Sequence, residues 1–117
     1  VCVVSRSDED IRKMEQEYGG QLIGIRQDMS QPGASRELIT QIQKHWDALN
    51  ILVNNVGMNI RKKTIDYSMD EYEQILQTNL TSTFELSRKA YPLLKEAGGG
   101  NVINISSVAG VKHLRTG

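Results

Sequence analysis

Polar residues able to hold a ligand follow directly on apolar runs that read as strands. Ile51-Leu52-Val53 leads at once into Asn54-Asn55-Val56-Gly57. Three consecutive apolar residues, two of them β-branched, suit a strand buried on both faces of a parallel sheet. In open α/β sheets, ligands bind at the carboxyl edge of such strands. Asparagine offers donors and acceptors, and glycine lets a backbone approach a ligand closely. The same residues would also make a plain turn, and the segment alone leaves both readings open. Ser106-Ser107 follows the last apolar run, Val102-Ile103-Asn104-Ile105, in the same way. A hydroxyl there can bond a substrate oxygen or cap a turn. Nothing marks it as a nucleophile: no G-x-S-x-G elbow surrounds it, and His113 has no evident carboxylate partner.

Ser5-Arg6 closes the first apolar run, Val1-Cys2-Val3-Val4. An acidic residue at such a place would bond a ribose 2′-hydroxyl, whereas arginine suits a 2′-phosphate; an exposed loop arginine is the ordinary alternative. Asp28 could reach an adenine or cap a turn. Asn79 lies in the apolar stripe of a helix, where a buried amide must find partners or cost a few kcal/mol. It could bond a neighbouring carbonyl, or be held near a site as a water's anchor. Two patterns are set aside. Gly98-Gly99-Gly100 has its helix before it and its strand after it, the reverse of a phosphate-binding loop. Tyr91 and Lys95 share a helix face but precede the serine pair, and read as surface and packing residues.

The elements that must position these groups alternate regularly. Val1–Val4 reads as a strand. Ser7 caps a helix whose first turn, Asp8-Glu9-Asp10, complements the helix dipole and which stops at Gly19-Gly20. Gln21–Arg26 reads as a second strand and Ser30–Gly33 as a turn. Leu38, Ile39, Ile42 and Trp46 share one face of a helix from about Ala34 to Asp47. A strand at Asn50–Val53 and a long loop precede a capping box at Ser68-Met69-Asp70-Glu71. The helix that follows runs from about Met69 to Ala97, on the order of 40 Å. Its stripe is Tyr72, Ile75, Leu76, Asn79, Leu80, Thr83, Phe84 and Ser87, and Pro92 is expected to disturb its last turns. Val102–Ile105 is the final strand. Alternation of this kind predicts an α/β, Rossmann-like doubly wound parallel sheet, within one domain spanning residues 1–117.

Composition narrows the function. Fourteen basic and fourteen acidic residues cancel, so no charge field invites nucleic acid or an anionic membrane. Arg61-Lys62-Lys63 reads as a solvated loop, or as a bias towards an anionic substrate. No apolar run approaches the length of a membrane span, and no signal peptide opens the chain. The single cysteine, Cys2, excludes an internal disulfide and fits a reducing, cytoplasmic compartment. Two histidines, His45 and His113, without ligand spacing give no expectation of a metal site.

Three motifs at these spacings carry a resemblance over essentially the whole chain. They are Asn54-Asn55-Val56-Gly57, Thr78-Asn79-Leu80, and Val102-Ile103-Asn104-Ile105-Ser106-Ser107-Val108-Ala109-Gly110. Together they resemble the short-chain dehydrogenase/reductase family. Ser5-Arg6 and Tyr91-Pro92-Leu93-Leu94-Lys95 are most similar to its tropinone reductase-like branch. The resemblance implies hydride transfer between NADP(H), preferred over NAD(H), and a small alcohol or ketone. It implies that Asn79 anchors a proton-relay water and the active-site lysine, and that Ser107 orients the substrate carbonyl. Asn55 and Gly57 would line the cofactor cleft, Ser5 and Arg6 would hold the 2′-phosphate, and Asp28 with the backbone of Met29 would contact adenine. The segment Met58–Tyr67 would shape the substrate pocket. Val56, where the family has alanine, is a small departure.

Larger departures lie at the two ends. The family's glycine-rich loop belongs before the first strand read here. Its Tyr-x-x-x-Lys pair follows the serine by about a dozen residues, whereas this chain ends at Gly117. The tyrosine is the acid/base of that chemistry and the lysine lowers its pKa. In the family's strand order, 3-2-1-4-5-6-7, a strand is then missing between Val1–Val4 and Asn50–Val53, leaving two inner edges unpaired. The expectation is an internal fragment, truncated at both ends, that is inactive alone while its full-length parent is an enzyme assembling as a tetramer or dimer. The competing expectation is a non-catalytic binding or oligomerisation module using the long helix as its docking surface.

Overall fold

The computed structural model describes residues 1–110. Four strands and four α-helices alternate in it: β1 Cys2–Ser5, α1 Asp8–Tyr18, β2 Ile23–Arg26, α2 Ala34–Ile42, β3 Ile51–Asn54, α3 Met69–Leu76, α4 Ser82–Glu96 and β4 Asn101–Asn104. β1 pairs in parallel with β2, Cys2 opposite Ile23 through Ser5 opposite Arg26. β3 pairs in parallel with β4, Ile51 opposite Asn101 through Asn54 opposite Asn104. The pairs form two separate sheets, so β1 and β3 each keep one unpaired edge among the described residues. This is the expected Rossmann-like architecture with an incomplete sheet, open at its middle.

Local chemistry explains most boundaries. The Ser7 hydroxyl accepts the Asp10 N–H at 3.2 Å and starts α1. Gly19, at φ 58°, ends it in a conformation that glycine takes without a Cβ clash. A short 3₁₀ turn at Gly19–Gln21 then uses residues that the pattern assigned to a strand, so β2 starts at Ile23 rather than Gln21. α2 ends at Ile42, five residues early. Beyond it, Lys44 and His45 donate to carbonyls only three residues back, closing tight turns rather than continuing an α-helix. The Ser68–Glu71 capping box is present in both directions, at 2.8 and 3.2 Å.

The long helix departs from its sequence reading in two ways. It is not regular: a π-type turn at Gln77–Thr81 separates α3 from α4. Its expected stripe also largely faces outward, with Tyr72, Leu76, Leu80 and Phe84 all exposed. The buried face carries Thr78, Ser82, Ala90, Leu93 and Leu94 instead. Small side chains let a helix lie close to its neighbours, and hydropathy periodicity gives them little weight. The core joins α2, α4 and β2 through Ile25, Met29, Leu38, Ile39, Ile42, Ala90, Leu93 and Leu94. β3 is covered on one face only: Leu52 packs on this core, while Ile51 and Val53 are 56% and 52% exposed. The expectation of burial on both faces therefore fails for β3.

β2 lies so close to α1 that a Cβ at Gly24 would fall 2.1 Å from Ile11 Cγ2 and 2.9 Å from Glu15 Oε1. Overpacking of this kind costs about 1–3 kcal/mol. Gly24→Ala is expected to lower the urea midpoint of unfolding accordingly; an unchanged midpoint would contradict this packing.

Candidate functional site

The open middle of the sheet is a cleft of about 940 Å³, walled by Val1–Arg6 along β1 and by Asn50–Met58 along β3. Ser5, Arg6, Asp28, Met29, Asn55 and Gly57 all line it. Six residues singled out from three separate strand ends thus share one concavity. Their side chains are arranged by short-range bonds. Ser5 Oγ accepts the Ser7 N–H at 3.1 Å, fixing the turn that presents Arg6. The Arg6 carbonyl accepts from Arg26 Nε at 3.3 Å, while no ion pair engages the Arg6 guanidinium among the described residues. Asp28 Oδ1 accepts from Ser30 Oγ at 2.7 Å and Ser30 N–H at 2.9 Å. The Ser30 bonds, helped by the charge of Arg6, hold the Asp28 carboxyl below the usual carboxylate range against partial desolvation. Asp28 is therefore both a turn cap and a carboxylate at the cleft. Met29 is 4% exposed; its side chain belongs to the core.

Asn54, which the sequence reading gave no role of its own within Asn54–Gly57, is a structural member of the site. It is 7% exposed, and its Nδ2 donates to Ser87 Oγ on α4 at 3.1 Å and to Asn104 Oδ1 on β4 at 2.8 Å. The Ser87 hydroxyl in turn donates to the Thr83 carbonyl at 2.8 Å. One buried amide therefore ties together β3, β4 and α4 just below the Asn55–Gly57 loop. The signal was available in the sequence: Asn54 follows Ile51-Leu52-Val53 and Asn104 follows Val102-Ile103, and parallel pairing in register puts those two side by side.

Asn79 is exposed, contrary to the burial its place in the stripe suggested; its neighbour Thr78 is the buried residue of the π-type turn. Its amide is nevertheless fully engaged. Oδ1 accepts the Met58 N–H at 2.8 Å, and Nδ2 donates to the Met58 carbonyl at 2.9 Å. Asn79 thus clamps the chain just after the Asn55–Gly57 loop, and π-type turns often occur where a helix serves a site. Ser107 lies outside the set lining the cleft. Its Oγ accepts the Ala109 N–H at 3.2 Å, at a short 3₁₀ turn over Val108–Gly110. That is a turn-capping role, and it leaves the hydroxyl proton free to donate. His113 lies outside the described residues.

The segment after Met58 is tied down as well. Tyr67 donates its hydroxyl proton to the Ile60 carbonyl. The Lys62 ammonium lies 2.5 Å from Glu71 Oε2 and 5.4 Å from the centre of the Tyr67 ring. Lys62 is therefore occupied rather than solvated, and Arg61 and Lys63 are the exposed charges of that loop.

Comparison with known proteins identifies the architecture. The description of the short chain dehydrogenase family matches residues 1–117. The chain belongs to the short-chain dehydrogenase family. A tropinone reductase homolog of Arabidopsis thaliana is 58% identical over 69 residues, 59% of this chain and 26% of that protein. A chloroplastic tropinone reductase homolog from the same plant is 42% identical over 88 residues, 75% of this chain and 27% of its own length. Among solved structures, serine dehydrogenase from Escherichia coli superposes with a TM-score of 0.84 at 26% identity, covering 99% of this chain and 54% of that one. A closed serine dehydrogenase complexed with NADP+ gives 0.86 at 26%, covering 100% of this chain and 48% of that one. The matched stretch thus spans about a quarter of the plant relatives and about half of the solved chains. No helix among the described residues is long and apolar enough to cross a membrane.

Glu71 supplies a pH test. The hydrogen bond from Lys62, then that from the Ser68 N–H, lowers its pKa below the usual glutamate value. A depressed folded-state pKa gives stability that is present above the ordinary glutamate pKa and lost as pH falls through the folded value. Amide exchange over Lys62–Glu71 is therefore expected to speed up, relative to the core, as pH drops through that range. Glu71→Gln should remove the pH dependence. A Glu71→Gln profile matching the parent protein would contradict the Lys62–Glu71 tie.

Proposed function

We propose that this chain is the cofactor-edge segment of an NADP(H)-dependent oxidoreductase that interconverts a small alcohol and its ketone. The observation that carries the reading is the single cleft shared by Ser5, Arg6, Asp28, Met29, Asn55 and Gly57. The residues present suit a phosphorylated dinucleotide. The Arg6 guanidinium, in no ion pair among the described residues, matches a ribose 2′-phosphate through charge-assisted, two-pronged hydrogen bonds. A carboxylate and a backbone segment at Asp28-Met29 suit a purine edge. A Cβ added to Gly57 would meet only Asn79 Oδ1, at 3.6 Å, so the loop leaves room for a ligand on its other side. Tropinone reductase homologs among the relatives, and NADP+ in a superposed structure, agree with this choice.

When bound, the nicotinamide would supply or accept the hydride. The chain's own residues then divide the remaining work. Arg6 selects the phosphorylated cofactor, and the carboxylate of Asp28 bonds the adenosine end. Asn79 holds Met58, and through it the floor of the nicotinamide loop, in a fixed place. The free hydroxyl proton of Ser107 is available to a substrate carbonyl oxygen. Asn79 is held by Met58, and Tyr91 is 63% exposed on α4, away from the cleft. In this proposal the acid/base group belongs to another part of the full-length protein, and the 117 residues alone are expected not to turn over. The exposed stripe of Tyr72, Leu76, Leu80 and Phe84 supports a further role for the long helix in self-association of the full-length protein.

Steady-state assays of the full-length protein with NADPH and a panel of small ketones should show turnover, and the 117-residue chain none. Arg6→Ala in the full-length protein should weaken NADPH binding about tenfold to a hundredfold, the value of a charged hydrogen bond, with little change for NADH. Equal losses for both cofactors would contradict the assignment of Arg6.

A further inference from the structure

The turn that carries Arg6 has three consecutive carbonyls, each with its own donor. The Ser5 carbonyl accepts the Gln27 N–H at 3.0 Å, and the Ser7 carbonyl accepts the Ile11 N–H at 3.3 Å. The Arg6 carbonyl between them is met by a side chain, Arg26 Nε, at 3.3 Å. Register explains the reach. Arg26 stands opposite Ser5 at the end of the β1–β2 pair, just beyond Gly24 and Ile25. Side chains two apart on a strand share a face, so Arg26 lies on the face against which α1 packs at Gly24. From there its guanidinium spans to the start of α1, with Nη1 3.5 Å from Asp8 Oδ2. The charges near Arg6 give that bridge a consequence. α1 opens with Asp8, Glu9 and Asp10, directly after the Arg6–Ser7 turn. A cation set among carboxylates is a poor receptor for a phosphate unless they are offset. Lys13 pairs with Glu9 at 2.7 Å, and Arg26 pairs with Asp8. With side chains 67% and 51% exposed, the Arg26–Asp8 pair adds little to stability. Its effect lies in the field at Arg6.

We propose that Arg26 is a positioning residue for cofactor selection. It holds the Arg6 backbone in place and offsets the Asp8 carboxylate, so that the Arg6 guanidinium meets a 2′-phosphate without a competing anion. Arg26 itself is outside the set of residues lining the cleft and contacts no cofactor atom. Both tasks follow from the shape of a guanidinium. Its Nε and Nη1 donors point in different directions from one rigid plane, so a single side chain serves a carbonyl and a carboxylate together. A dinucleotide without the 2′-phosphate brings no charge to this turn, so the effect is confined to discrimination between the two cofactors. This role rests on the reading of Arg6 as the 2′-phosphate contact.

The test is a fluorescence titration of the full-length protein with NADPH and with NADH, read as the ratio of the two dissociation constants. Arg26→Ala should lower the preference for NADPH about fivefold, the size of one exposed charge interaction. NADH binding should stay unchanged, which also shows that the variant folds. Arg26→Lys keeps a charge near Asp8 but lacks the second donor direction, and should lose less than Arg26→Ala. Adding Asp8→Asn to Arg26→Ala should restore part of the preference, because the uncovered carboxylate is then gone. In an Arg6→Ala background, Arg26→Ala should have no further effect, since it acts through Arg6. If Arg6→Ala lowers the preference and Arg26→Ala leaves it intact, the role of Arg26 is refuted while the assignment of Arg6 stands. If Arg6→Ala itself leaves the preference intact, the assignment of Arg6 fails and the role of Arg26 falls with it. Equal weakening of both cofactors by Arg26→Ala would show a merely structural role. Additive losses in the double variant would make Arg26 a direct phosphate contact. Either result overturns the proposal.

Discussion

A parallel strand satisfies its backbone only through neighbours on both sides, and among the described residues β1 and β3 each have one neighbour. Much else depends on that constraint. The gap between the two strands is the cleft, and the carboxyl ends of the strands are where Ser5-Arg6 and Asn54–Gly57 line it. Ligand-binding side chains gather at strand ends because the strands hold their backbones rigidly while the loops after them are free to face outward. The concavity that collects six candidate cofactor residues therefore follows from the sheet's own topology.

Two asparagines do most of the holding. Asn54 is buried and uses one amide nitrogen to brace β3 against both β4 and α4. Buried amides are tolerated when satisfied, and they then specify one arrangement over its alternatives. Asn79 works from the surface, gripping both polar groups of the Met58 backbone. The π-type turn at Gln77–Thr81 accommodates this division, with Thr78 buried beside the cleft and Asn79 exposed at the loop. The ties among Ile60, Lys62, Tyr67 and Glu71 fix the next segment to the start of α3. The Met58–Tyr67 segment is thus held at both ends.

The order of elements and the caps of α1 and α3 were legible from the sequence because each has a local or topological cause, whereas the gap in the sheet was expected only through the family resemblance. Ser7, Ser68 and Glu71 act within four residues of their targets, and apolar runs separated by helical periodicity admit few topologies. Less legible was which face each element presents. The stripe of Tyr72, Leu76, Leu80 and Phe84 has helical spacing but is exposed, and the face that packs is made of smaller residues such as Thr78, Ser82 and Ala90. Periodicity weighs hydropathy, whereas close packing selects for size. The pairing of Lys62 with Glu71 was hidden for another reason: it depends on a contact that only the tertiary structure brings about. Asn79 was a candidate for its type and place, yet its bond to Met58 spans a loop whose course the sequence does not give.

The most direct measurement is a crystal structure of the full-length protein with NADP+. The account predicts 2′-phosphate oxygens within hydrogen-bonding distance of the Arg6 guanidinium, the adenine beside Asp28 and Met29, and the nicotinamide along the Asn55–Gly57 loop. A dinucleotide bound away from this cleft, with Arg6 turned to solvent, would contradict it.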